Sequence, residues 1–161
     1  IGRGDDPATS WFAGGRLDYV RGLGVHERYE SERACTFLSG CCLMLRREAL
    51  DKAGAFDSAY WCYVEDVDLG IRLTRAGYDL WYVPSARMVH KAPPVTAPPS
   101  AMQIEWRDRN RRRLARLHFS PMQRLAFSLW FFTTRVALLA RYALGGDVAR
   151  ARGIIAGAMG R

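Results

Sequence analysis

The densest chemical cluster in the sequence is Tyr63-Val64-Glu65-Asp66-Val67-Asp68-Leu69, with three carboxylates in four residues at the start of a helical pattern. It follows directly on the aromatic run Tyr60-Trp61-Cys62-Tyr63. One reading is structural: acids complement the positive end of a helix by roughly 0.3–1 kcal/mol each, which accounts for one or two of them. The other is chemical. A carboxylate fixed at a helix start, and kept ionised there, can take the proton of a hydroxyl as that oxygen forms a new bond, while adjacent aromatics hold the apolar face of a sugar. Asp66 is the candidate base, and spacing alone leaves both readings open. His90 closes the stretch Ala86-Arg87-Met88-Val89-His90. A lone histidine there reads as structural before it reads as a metal ligand, because no Asp-x-Asp pair follows a strand. Asp66-Val67-Asp68 has those letters, but within a helix its two side chains point about 200° apart.

The elements that must position these residues can be read from the pattern. Arg46 to Ala53 is expected as a short helix stopped by Gly54, and Glu65 to Ala76 as a helix stopped by Gly77. Cys35 to Leu45 reads as a buried strand with a close backbone approach at Gly40, and residues 16–33 as a surface loop. Short strands are expected at Asp79 to Val83 and Ala86 to His90. Four prolines in residues 92–99 mark a stiff connector. Three helices follow, over about 101–118, 121–144 and 147–159, punctuated by Ser120-Pro121 and Gly145-Gly146-Asp147. The expectation is an α/β fold: a mixed-sheet lobe over residues 1–92, a connector over 93–99 and a basic helical tail over 100–161.

Charge divides along the same line. Residues 1–99 hold 12 Lys/Arg against 13 Asp/Glu, and residues 100–161 hold 12 against 3. Within the tail, Met122 to Leu144 is strongly apolar but interrupted by Arg124, Arg135 and Arg141. That suits a helix lying in a membrane interface better than one crossing the bilayer. A helix packed on its own lobe fits as well. Nucleic acid is disfavoured as a partner, since no reader motif is present and the basic residues interleave with a strongly apolar helix. Cys35, Cys41, Cys42 and Cys62 form no C-x-x-C pair, so a zinc framework is not expected and reduced thiols are. No signal peptide is seen, and the start at Ile1 reads as a cut from something longer.

Taken in order, Trp11…Gly14-Gly15, Ser39-Gly40-Cys41, Arg46-Arg47-Glu48-Ala49-Leu50, Gly54-Ala55-Phe56-Asp57, Tyr63 to Leu69, Arg72, Ala76-Gly77-Tyr78, Tyr82-Val83-Pro84, Val89-His90 and Arg109-Asn110 resemble the second half of glycosyltransferase family 2, especially its bacterial rhamnosyltransferase-like members. The resemblance implies a GT-A-type mixed-sheet fragment followed by a helical tail. It also implies inverting transfer of a sugar from a nucleotide-sugar donor to a hydroxyl of a glycan or lipid-linked acceptor, for an envelope or cell-surface glycan. Asp66 matches the general base and Glu65 an acceptor-binding or orienting acid. Gly40 and Cys41 match the floor of the acceptor site, and Trp61 and Tyr63 its flanking aromatics. His90 matches a histidine that completes a Mg²⁺ or Mn²⁺ site in some members, the other ligands lying outside this chain. Asp57, Asp68 and Arg72 match structural positions. The family's nucleotide-gripping acids and its Asp-x-Asp have no counterpart here, so no donor-binding residue is named and the isolated piece is expected to transfer little. The alternative is a non-catalytic fragment acting as a membrane-surface or partner-binding module. The expected location is cytoplasmic, peripheral at the inner face of the plasma membrane.

Overall fold

The structure, a computed structural model, describes residues 1–3, 11–91 and 98–160. In chain order the strands and helices are β1 (Gly2–Arg3), β2 (Gly15–Asp18), β3 (Leu23–His26), β4 (Arg33–Cys35), α1 (Arg47–Ala53), α2 (Glu65–Arg75), β5 (Leu80–Tyr82), β6 (Val89–His90), α3 (Ala101–His118), α4 (Pro121–Leu144) and α5 (Val148–Met159). A 3₁₀ turn, Ser58–Tyr60, lies between α1 and α2. The fold is mixed α/β. Its strands form two-stranded ladders of both senses: β1 runs parallel to β6 and β4 antiparallel to β5, while β2 pairs with β3.

The chain divides into two compact units. The first comprises Ile1–Leu17, Gly24–Trp61 and Glu65–Thr96; the second comprises Asp18–Leu23, Cys62–Val64 and Ala97–Arg161. In the first, α2 buries Leu69 and Leu73 against Ala49 of α1 and Leu80 of β5, with Leu38, Leu43 and Leu45 packed around them. The last three come from irregular chain. The strand expected over Cys35–Leu45 ends at Cys35, because the segment turns at Ser39–Cys42 to bring the Gly40 amide to α2. Residues 16–33, expected as loop, instead supply β2, β3 and the first residue of β4. Their strands are only three or four residues long, too short for an alternating pattern to announce them, and β4 finds its partner β5 far along the chain.

The second unit is helical. Ser100 and Ser120 each form a capping box, with Gln103 and Gln123, which sets where α3 and α4 begin; Pro121 takes the first position of α4. Helix α5 approaches α3 closely through Gly153 and Gly157. A methyl group on Gly153 would lie 2.5 Å from the Ala101 carbonyl oxygen, and one on Gly157 would lie 2.8 Å from the Asp108 side chain. Asp108, almost wholly buried, accepts from Arg111 (3.3 Å) and Arg135 (2.6 Å). The Arg111 guanidinium also stacks over Trp130 and Phe131, at 5.0 and 5.3 Å. Burial lowers its pKa to about 10, which leaves it a cation at neutral pH. Among the described residues, no helix is long and apolar enough to cross a membrane. The connector expected over 93–99 lies outside the described residues except for Pro98 and Pro99.

Candidate functional site

Asp66 and Glu65 open α2. Asp66 Oδ2 accepts the Gly40 amide at 2.9 Å, and its Oδ1 accepts the Val67 amide at 2.8 Å. Burial raises the Asp66 pKa above the ordinary carboxylate range. The amides of Gly40 and Val67, together with the nearby His26 charge, pull the other way without cancelling the effect. A carboxylate in that state is a stronger base than a solvated one and still reaches the surface. Asp68 points elsewhere. It is buried, accepts from Tyr60 Oη (3.1 Å) and pairs with Arg72 (2.7 Å), whose guanidinium also binds the carbonyls of Ala53, Gly54 and Ala55. The letters Asp-x-Asp therefore divide between a site residue and an internal brace.

Glu65 faces an open cleft of about 330 Å³, lined by Gly40, Phe56, Asp57, Ser58, Trp61 and Glu65. Its Oε2 is buried with no hydrogen-bond partner among the described residues. Burial, and then the neighbouring Asp66 charge, raise its pKa. Asp57 also caps the 3₁₀ turn through the Ala59 amide. Trp61, 76% exposed, presents an indole at the cleft. On the other side of Gly40, Cys41 Sγ lies 3.8 Å from His90 Nε2. The Trp11 ring contacts both His90 (4.9 Å) and His26 (5.0 Å). The loop Gly40-Cys41 thus joins the candidate base to a His90–Trp11–His26 cluster.

The chain enters α2 under strain. Trp61 (φ 55°), Tyr63 (φ 70°) and Val64 (φ 72°) are the non-glycine residues with positive φ among those described. A β-branched residue such as Val64 rarely adopts that conformation, and strain of this kind persists only where neighbours impose it. Here the neighbours belong to the helical unit, where residues 62–64 cluster. The wholly buried Asn110 donates to the carbonyls of Cys62 (2.7 Å) and Tyr63 (2.9 Å), and Gln103 Nε2 donates to the Tyr63 hydroxyl (3.0 Å). Tyr63 is therefore engaged within the helical unit, whereas every residue lining the cleft belongs to the first unit.

The family model described as glycosyl transferase family group 2 matches residues 8–155. The chain belongs to this family. Among curated proteins, an N-acetylglucosaminyl-diphospho-decaprenol L-rhamnosyltransferase of Mycobacterium tuberculosis is 54% identical over 65 residues, which is 40% of this chain and 21% of that protein. Rhamnosyltransferase WbbL of Escherichia coli is 33% identical over 66 residues, 41% of this chain and 25% of the relative. The matched stretches thus span about a quarter or less of these relatives. No solved structure matches.

Members of the family generally use a divalent metal. The residues described here do not make such a site by themselves. The contact to His90 Nε2 comes from the soft Cys41 thiol, where a hard cation favours carboxylate oxygen. No group of three His, Cys, Asp or Glu side chains able to hold a metal occurs among the described residues. A metal role for His90 rests on the resemblance alone. His26 closes β3, and nothing in the spacing of its neighbours marks it. Asn110 was visible only as part of a family pattern, although an amide on the buried stripe of α3 is a usable sign that something there needs bonding.

Proposed function

We propose that this chain forms the acceptor side of an inverting glycosyltransferase that moves a sugar from a nucleotide-sugar donor to a hydroxyl of a lipid-linked glycan, on the cytoplasmic side of the envelope. The names of the relatives favour rhamnose as the sugar and a polyprenyl diphosphate-linked acceptor. The observation that carries the reading is Asp66. It is a carboxylate of raised proton affinity, held by two backbone amides at the mouth of α2, next to a cleft with an exposed indole and the buried, unpartnered Glu65 oxygen.

The acceptor hydroxyl gives its proton to an Asp66 oxygen as its own oxygen bonds to the anomeric carbon. The bond from that carbon to the diphosphate breaks on the opposite face, and the nucleoside diphosphate leaves with the electron pair. Configuration inverts in this single displacement. Glu65 accepts a hydrogen bond from another acceptor hydroxyl, and Trp61 stacks on an apolar sugar face. No step is assigned to a metal.

The test is transfer by the full-length enzyme from a panel of nucleotide-sugars to a polyprenyl diphosphate-linked acceptor, comparing wild type with Asp66→Asn. A positioned base contributes about 10²–10⁴-fold, and kcat is expected to fall by that factor with donor binding nearly unchanged. Equal rates in the two proteins would remove Asp66 from the role.

A further inference from the structure

The outward face of α4 is apolar along its whole length. Met122, Leu125, Leu129, Phe132 and Val136 recur at spacings of three and four, and each is more than half exposed. Leu144 extends the face to the end of a 24-residue helix, about 36 Å long. The hydroxyl on this face, that of Thr133, turns inward and donates to the Leu129 carbonyl at 2.8 Å. The arginines of α4 lie off it. Arg124 binds the carbonyls of Phe119 and Arg116, Arg135 binds Asp108, and Arg141 falls about 100° round the helix from Met122. Packing of α4 within the helical unit accounts for Phe127 and Phe131, which are buried on the opposite side. It leaves this stripe uncovered, and an apolar strip of this extent marks an interaction surface.

The charges around it identify the partner. Residues 100–161 carry 12 Lys/Arg against 3 Asp/Glu. Among residues 98–160, every charged residue that is exposed is an arginine: Arg107, Arg116, Arg124, Arg141 and Arg152. The acids Glu105, Asp108 and Asp147 are half-buried or buried. The matching surface is therefore apolar and anionic together. A second copy of the chain would bring like charge against like charge, and a bilayer-crossing helix is absent from the described residues. We infer that α4 lies in the plane of an anionic lipid membrane, its apolar face at the acyl boundary and the arginines among the headgroups. This inference does not depend on the role of Asp66, because its readout requires no catalysis.

The test is co-sedimentation of the full chain with phosphatidylcholine vesicles, with and without phosphatidylglycerol. The chain is expected to pellet with the anionic vesicles, far less with the neutral ones, and progressively less as salt is raised. Leu129→Glu with Phe132→Glu is expected to reduce binding at least about tenfold. The melting curve should be retained, since both positions face outward. Arg107→Gln, Arg116→Gln and Arg152→Gln together should abolish the preference for phosphatidylglycerol while keeping the fold. The proposal is overturned by absence of vesicle binding, or by equal binding of wild type and the double glutamate variant. Sedimentation velocity showing a dimer that the glutamates convert to monomer would also overturn it, since the strip would then belong to a second copy. Retention on DNA at salt that releases the chain from anionic vesicles would do the same.

Discussion

At the scale of single residues, the site rests on two adjacent carboxyls whose proton affinities are both raised, chiefly by burial. Asp66 is raised by burial against two amide bonds that oppose the shift. Glu65 is raised by burial and then by the charge of Asp66 beside it. The acid limb of the rate profile should therefore lie above the ordinary carboxylate range and disappear in Asp66→Asn; a pH series of kcat checks both. For stability the sign is the reverse of the usual carboxylate case. A raised native pKa contributes stability that is present below the ordinary value and lost as pH climbs through the raised one. Glu65→Gln is therefore expected to raise the melting temperature at neutral pH, and the difference should close once the pH falls below the normal glutamate range. Gly40 adds a geometric control. A methyl group there would stand 3.3 Å from the Asp66 Cβ, so Gly40→Ala should shift the carboxylate and lower transfer by about tenfold or more.

At the scale of elements, the sequence shows the helices and the short strands β5 and β6, and hides β2, β3 and β4. Ser100 with Gln103, and Ser120 with Gln123, are local signals that specify α3 and α4 regardless of the rest of the chain. The pairing of Arg33–Cys35 with Leu80–Tyr82 depends on contacts nearly fifty residues apart, over strands too short to show a period. The left-handed run before α2 was illegible for a different reason: non-glycine residues adopt it, and they do so because Asn110 binds the carbonyls of Cys62 and Tyr63. The positions of Asp66 and Gly40 were readable from motif order, but their direct bond was not. Two substitutions separate strain from clamp. Val64→Gly releases the left-handed penalty and should stabilise the protein by about 1 kcal/mol. Asn110→Ala removes two buried bonds and should destabilise it by about 1–3 kcal/mol. Chemical denaturation of each variant, and of the pair, measures both effects; a destabilising Val64→Gly would mean that the valine side chain matters more than its backbone.

At the scale of the whole molecule, the two units carry different kinds of charge. Acids and bases balance in the front part of the sequence, and the helical part is basic, with one acid at its centre. That acid, Asp108, serves two arginines. Asp108→Asn leaves Arg111 and Arg135 without a counter-charge in a buried setting and should cost about 3–5 kcal/mol. Domains are stable by only about 5–15 kcal/mol, so a single neutral substitution here should bring the helical unit close to unfolding at ambient temperature. Thermal melts followed by circular dichroism at 222 nm provide the check, with Asp108→Asn plus Arg135→Met expected to recover part of the loss. The uncovered strip on α4 bears on kinetics as well as location. If α4 holds the chain at a membrane and the acceptor is lipid-linked, as proposed, enzyme and acceptor would meet in a thin film rather than in a volume, where a scarce acceptor is locally concentrated. Modest intrinsic affinity for the glycan would then suffice, and product would drift away along the same sheet of lipid.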